Sequence, residues 1–236
     1  MAHSPIILAV DTSDFDTARG WIDATRESID VYKLGLEFFL TFGCEGIESI
    51  ARESGASIFL DLKLHDIPNT VKKSAGVVAH LHPRFLTVHA SGGAAMVSAA
   101  VAAVTSTSTS ITAVTVLTSL ADSDLSDLGY AKPALETAVS MARVATDAGA
   151  TSIVCSPLEI EAIRAVIPQS VEIITPGVRP ADEAGGDDQM RTMTPAQAMN
   201  AGANFLVIGR PITSRWSEGK AAMATRAAHL VASIHE

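Results

Sequence analysis

Short runs of β-branched and aliphatic residues recur eight times along the chain, at 5–10, 31–36, 57–64, 85–88, 111–117, 152–155, 171–175 and 205–208. Within each run the apolar residues are nearly continuous rather than alternating with polar ones, the pattern of a strand buried on both faces. Between them lie stretches of helical character, at 14–28, 38–54, 69–80, 94–105, 132–148, 159–166, 195–201 and 216–234. Strand followed by helix, eight times in 236 residues, predicts an α/β fold, a single (β/α)8 TIM barrel forming one catalytic domain over residues 1–236. An open doubly wound sheet is the alternative. It would bring a glycine-rich turn after the first strand, where this chain has Asp11-Thr12-Ser13-Asp14.

With 47% hydrophobic and 18% charged residues, the chain has the material for a large core and is not disordered. A net charge of −9 argues against general binding to nucleic acid or anionic membranes, so positive charge for an anionic ligand must be concentrated locally. Cys44 and Cys155 are distant in sequence and form no CxxC or Cys/His spacing, which argues against structural zinc and a disulfide framework. Cys155 reads as a small buried hydrophobe. The first residues lack the basic region of a signal peptide, and the most apolar stretch, 92–104, is too short to span a bilayer. A cytoplasmic protein is expected.

Two connections exceed what a turn needs, 118–131 after the fifth strand and 177–194 after the seventh. Both belong on the carboxyl face of a barrel, where active sites are built, and both read as lids. Charged and polar residues gather at the same rim: Asp11, Lys33, Asp61, Lys63, Asp66, His89, Thr118, Arg179 and Arg210. Burying charge is costly unless it is paired, so packing alone would not select this set.

The third strand is the most informative. Alternation along Leu60-Asp61-Leu62-Lys63-Leu64-His65 puts Asp61, Lys63 and His65 on one face and the leucines on the other. Asp66 follows, and Ile67-Pro68-Asn69-Thr70 opens a helix. An ammonium between carboxylates can stabilise a carbanion and then protonate it. The competing reading is an ion-pair network that only closes the barrel. A metal site is disfavoured, since Lys63 in its midst would repel a cation. After the last two strands come Thr175-Pro176-Gly177-Val178-Arg179 and Ile208-Gly209-Arg210-Pro211. Glycine lets backbone N–H groups approach an anion and arginine adds a bidentate fork, so these turns read as a phosphate site.

These segments resemble the bacterial type of orotidine 5'-phosphate decarboxylase. The most specific match is 59–70, Phe-Leu-Asp-Leu-Lys-Leu-His-Asp-Ile-Pro-Asn-Thr, and segments 88–93, 114–119, 175–180 and 207–211 follow in family order. The resemblance implies decarboxylation of orotidine 5'-monophosphate to uridine 5'-monophosphate, the last step of de novo UMP biosynthesis. It implies no cofactor and no metal, and a homodimer with active sites at the interface. By the family pattern Lys63 protonates C6, Asp61 lies beside the substrate carboxylate, and Asp66 crosses the interface. Asp11, Lys33 and Thr70 would bind ribose hydroxyls, Thr118 would lie near the pyrimidine, and Arg179, Gln189, Gly209 and Arg210 would grip phosphate. Gln197 competes with Gln189 for the phosphate role, but it follows Pro195 in a helical stretch. Whether Asp61 repels the leaving carboxylate or orients Lys63 stays open.

Three rivals differ in chemistry. A magnesium-dependent sister enzyme of the same superfamily would carry a carboxylate on the second strand, where this chain has Lys33. A Schiff-base aldolase needs an uncharged lysine, which the neighbouring aspartates oppose. A barrel that only binds nucleotides leaves the Asp61, Lys63 and Asp66 grouping without a reason. His89 is expected to be a satisfied core histidine, His65 has no proton-transfer role, and Trp21 and Trp216 are packing residues.

Overall fold

The computed structural model describes residues 4–180 and 193–234. Among these, eight parallel strands close into a barrel in sequence order: β1 (Ile6–Ala9), β2 (Val31–Gly35), β3 (Ser57–Leu64), β4 (Phe85–His89), β5 (Ser110–Val114), β6 (Ser152–Val154), β7 (Glu172–Pro176) and β8 (Phe205–Ile208). β8 pairs back onto β1 through Ile6 with Leu206, Ile7 with Val207 and Leu8 with Ile208. Closure leaves no sheet edge, which is how eight apolar strands avoid pairing with another chain.

The helices of the outer layer are α1 (Phe15–Thr25), α2 (Leu36–Ser54), α3 (Pro68–Ala79), α4 (Gly93–Val104), α5 (Asp122–Asp127), α6 (Ala134–Asp147), α7 (Ile160–Arg164), α8 (Pro195–Asn200), α9 (Arg210–Thr213) and α10 (Lys220–Ala232). Among the described residues no helix is long and apolar enough to cross a membrane.

Period two along the strands sorts two cores. One alternate set, including Ile7, Val31, Phe59, Phe85, Ile174 and Phe205, fills the barrel interior. Phe85 sits edge-on to Phe59 and to Phe205, with ring centroids 5.6 Å apart in each pair. The Arg84 guanidinium lies 4.7 Å over the Phe205 ring and pairs with Glu172. The other set, including Leu8, Leu34, Leu60 and Leu86, packs outward in the larger core with helix residues such as Ile22, Ile47 and Ala75. Both faces of each strand are thus buried, as the unbroken apolar runs require.

The elements differ from expectation where local chemistry intervenes. The fifth strand ends at Val114 rather than 117. The connection after it is not a bare loop, because it contains α5. Asp124 Oδ2 accepts the Ala121 N–H at 2.7 Å at the start of that helix, and Asp122 Oδ1 accepts the Ala134 N–H at 2.7 Å. Two of its aspartates therefore fasten backbone. The last helical stretch is split by Gly219 at φ +110°, a conformation open to glycine, into a 3-10 turn over Ser214–Glu218 and α10. Trp216 packs its ring over Gly20 of α1, as a packing residue would.

Beyond β6, Ser156 and Glu159 form a capping box on the short turn Pro157–Glu159, with the Ser156 N–H donating to Glu159 Oε2 at 2.9 Å. Glu159 is only 7% exposed. Burial pushes its carboxyl up to about 7, against the pull of the Ser156 N–H toward the ionised form. The folded value is raised above the ordinary one, so this group's contribution to stability is complete below about pH 4.5 and is lost as pH rises through about 7. Glu159→Gln keeps the acceptor oxygen and removes the titration. The variant should unfold at a higher urea midpoint than the parent chain at about pH 8 and at the same midpoint at about pH 4.

Candidate active site

Parallel pairing sets the heights of the polar residues at the carboxyl end of the barrel. Ala9 of β1 stands beside Lys33 of β2, and Gly35 of β2 stands beside Asp61 of β3. Asp11, two residues past β1, therefore reaches Lys33, and Lys33 reaches Asp61. Lys33 Nζ donates to Asp11 Oδ1 at 2.8 Å and lies 3.9 Å from Asp61 Oδ2. Lys63 Nζ donates to Asp61 Oδ2 at 2.8 Å. Asp11, Lys33, Asp61 and Lys63 form a row of alternating charge. Its inner members are nearly covered, with side-chain exposures of 13% for Lys33 and 12% for Asp61, while Lys63 is 38% and Asp11 65% exposed. Alternation gives each partly desolvated charge an opposite neighbour, without which it would be strongly destabilising.

β3 does not run regularly through this site. Its register with β4 passes from Leu60 opposite Leu86 to Leu64 opposite Val88. Asp61, Leu62 and Lys63 therefore stand against the single residue Thr87. This is a bulge, a device that re-aims side chains next to active sites. Lys63 sits at φ +50°, in the left-handed region, a conformation that costs a side-chain-bearing residue about 1–2 kcal/mol. Thr87 fills the gap: its hydroxyl accepts the Lys63 N–H at 2.8 Å and donates to Asp61 Oδ1 at 2.9 Å. The same-face relation of Asp61 and Lys63 survives, but by way of the bulge rather than a straight strand.

Lys63 and Asp61 line a cavity of about 210 Å3 with Asp11, Lys33, Glu37 and Phe38. Thr118 lies four residues past β5, exposed, and lines a separate cavity of about 690 Å3 with Ser123, Ser156 and Glu159. His89 ends β4 with its ring 5.4 Å from that of His65. Burial holds the His89 imidazole below its usual range, and the nearby His65 and Lys63 act in the same direction. His89 is half-buried and lines a cavity with His65, Ser91 and Thr115 rather than lying in the core.

Asp66 and Thr70 stand apart from Lys63. Asp66 is exposed at the start of α3, where its Oδ1 accepts the Ile67 N–H, and it has no ion pair among the described residues. Thr70 is exposed in the first turn of the same helix. Within one chain, then, Lys63 is held by one aspartate rather than two. Arg179 is half-buried after β7, its N–H bonded to the Met193 carbonyl at 3.0 Å. Gly209 and Arg210 follow β8 directly, and Arg210 is exposed. A Cβ on Gly209 would come within 3.3 Å of the Ala9 side chain, so the close approach of this turn to β1 favours glycine. Neither arginine forms an ion pair among the described residues. Gln189 lies outside the described residues. Gln197 is committed to starting α8, its Oε1 accepting the Thr194 N–H at 2.9 Å while Thr194 Oγ1 accepts the Gln197 N–H at 3.2 Å.

Sequence reasoning missed Thr87 and Glu159. Thr87 had a signal: it is the polar residue between Phe85 and His89 on the inward face of an otherwise apolar strand. Glu159 had one too, standing three residues after Ser156 in the Ser-x-x-Glu pattern of a capping box. Chemically, the rim presents an ammonium fixed by a carboxylate into a cavity, an arrangement able to stabilise developing negative charge and to give up a proton.

Comparison with known proteins agrees with that chemistry. The model of the orotidine 5'-phosphate decarboxylase / HUMPS family matches residues 4–225. The orotidine 5'-phosphate decarboxylase of Thermobifida fusca is 48% identical over 224 residues, 95% of each chain. That of Sphingopyxis alaskensis is 46% identical over 210 residues, covering 89% of this chain and 92% of its own. The crystal structure of orotidine 5'-phosphate decarboxylase from Lactobacillus acidophilus superposes with a TM-score of 0.84 at 30% identity, over 99% of this chain and 100% of that one. A charge row at the carboxyl end of a closed barrel, matched along nearly the whole chain, leaves one assignment: the chain belongs to the orotidine 5'-phosphate decarboxylase / HUMPS family.

Proposed function

We propose that this chain decarboxylates orotidine 5'-monophosphate to uridine 5'-monophosphate, the last step of de novo UMP biosynthesis, with Lys63 as proton donor to C6. The observation that carries the reading is the 2.8 Å pair between Lys63 Nζ and Asp61 Oδ2, set in a cavity at the carboxyl end of the barrel. The C6–carboxylate bond breaks, CO2 leaves, and the electron pair stays on C6. That pair takes a proton from Lys63 Nζ, and solvent returns one to the amine. No electron sink lies in the pyrimidine next to C6, so stabilisation must come from fixed charge. An ammonium held in place needs no reorganisation as the negative charge develops. The short Asp61 contact supports an orienting role for that carboxylate.

The remaining assignments complete the substrate's outline. Asp11, Lys33 and Thr70 bind ribose hydroxyls, and Thr118 faces the pyrimidine. Arg179, Gln189, Gly209 and Arg210 hold the phosphate, whose binding energy can be spent on closing the connection after β5; most of the connection after β7 lies outside the described residues. Residues 1–236 act as one catalytic domain, in the cytoplasm, without cofactor or metal. The second strand argues against the magnesium-dependent branch of the family. Lys33 occupies the place of a metal carboxylate and is itself fixed to Asp11, and its charge repels a divalent cation.

Asp66 is assigned to the site of a partner subunit in a homodimer. Its exposure and lack of an ion pair with Lys63 within one chain support this reading. Two experiments test the proposal. With EDTA present, the parent chain should turn over orotidine 5'-monophosphate in a spectrophotometric assay, and Lys63→Ala should lose at least about 1,000-fold in kcat. Absence of turnover in the parent chain defeats the proposal, and activity abolished by the chelator favours the metal-dependent branch. Next, inactive Lys63→Ala and inactive Asp66→Ala should be mixed after dissociation and reassociation. Half the dimers are then hybrids with one intact site of two, so about a quarter of the parent activity should return. No recovery in a verified hybrid means that Asp66 serves its own subunit.

A further inference from the structure

Resting on that functional reading, we propose that Thr87 is a positioning residue for the decarboxylation: its single hydroxyl locks the bulge in β3 and thereby aims both Asp61 and Lys63. Thr87 is fully buried on the inward face of β4, beside Thr112 of β5. It does not line the cavity bounded by Asp61 and Lys63. Its action must therefore pass through those two residues.

The bonding is directional. A hydroxyl has one proton, and here it goes to Asp61 Oδ1 at 2.9 Å. The oxygen then has a lone pair free for the Lys63 N–H at 2.8 Å. One bond fixes the rotation of the Asp61 carboxylate, turning Oδ2 toward Lys63 Nζ at 2.8 Å and toward Lys33 Nζ at 3.9 Å. The other holds the Lys63 backbone in its left-handed conformation. A regular β3–β4 ladder would have satisfied that N–H with a backbone carbonyl, but three residues of β3 face only Thr87. The side chain thus replaces a missing ladder bond and couples the backbone of the proton donor to the carboxylate that orients its ammonium. Serine can make both bonds. Valine matches threonine in shape and can make neither.

The test compares Thr87→Val and Thr87→Ser with the parent chain, by steady-state kinetics on orotidine 5'-monophosphate and by NMR of chains labelled at the lysine ε-carbon. The Lys63 resonance is assigned with Lys63→Ala. Thr87→Val should lower kcat by about 100-fold and leave KM within about threefold, because misplacing a reacting group by about 1 Å costs that much in rate while substrate contacts persist. Thr87→Ser should keep kcat within about threefold. The Lys63 ε-carbon resonance should move in Thr87→Val and stay in Thr87→Ser. Should Thr87→Val not fold, Thr87→Ala also lacks the hydroxyl and takes its place. Unchanged kcat in the valine variant, equal losses with serine and valine, a change in KM alone, or an unmoved Lys63 resonance would each overturn the proposal. The NMR comparison stands without turnover, so a parent chain with the expected resonance pattern but no activity defeats the functional reading and leaves the positioning role intact.

Discussion

An ammonium and a carboxylate 2.8 Å apart, with the carboxylate side chain only 12% exposed, set the terms for the rest of this structure. Asp61 and Lys63 are partly withdrawn from water, and each would be unfavourable there alone. Lys33 and Asp11 extend the pair into an alternating row, so that neither inner charge, Lys33 or Asp61, is left without an opposite neighbour. The barrel supplies what the row requires. Strand closure sets β1, β2 and β3 side by side, and the registers that pair Ala9 with Lys33 and Gly35 with Asp61 bring the row together. Fixed charge of this kind is what a carbanion-forming reaction without an electron sink requires.

The fold was legible because its signal is redundant. Eight runs such as Val31 to Leu34 and Leu206 to Ile208 can be buried on both faces only in a parallel sheet covered by helices, and their number matches closure. Boundaries were less legible. The strand that reads through Leu117 ends at Val114, and α5 lies in what reads as loop because it is one short helix whose start is fastened by Asp124 rather than marked by a long apolar stripe.

The site was legible at Asp61 and Lys63 for a simple reason, since side chains two apart on a strand share a face. The way they share it was not legible. The bulge opposite Thr87 and the left-handed backbone at Lys63 arise from pairing between two strands, and pairing register is a property of the assembled sheet. Asp66 could be assigned only through the family pattern, because its place relative to Lys63 within one chain shows no contact. The choice between Gln189 and Gln197 rested on local grammar, and Gln197 does serve the helix start as that grammar requires. Gln189 lies outside the described residues.

In the proposed reaction Lys63 carries the proton that ends at C6. By microscopic reversibility the donor must also be able to remove that proton from bound product. The direct measurement follows the C6–H signal of uridine 5'-monophosphate by proton NMR in deuterium oxide, with the chain present. The parent chain should exchange this hydrogen for deuterium well above the solvent background, and Lys63→Ala, with product bound at saturation, should not. Exchange by Lys63→Ala at the parent rate would contradict this role of Lys63.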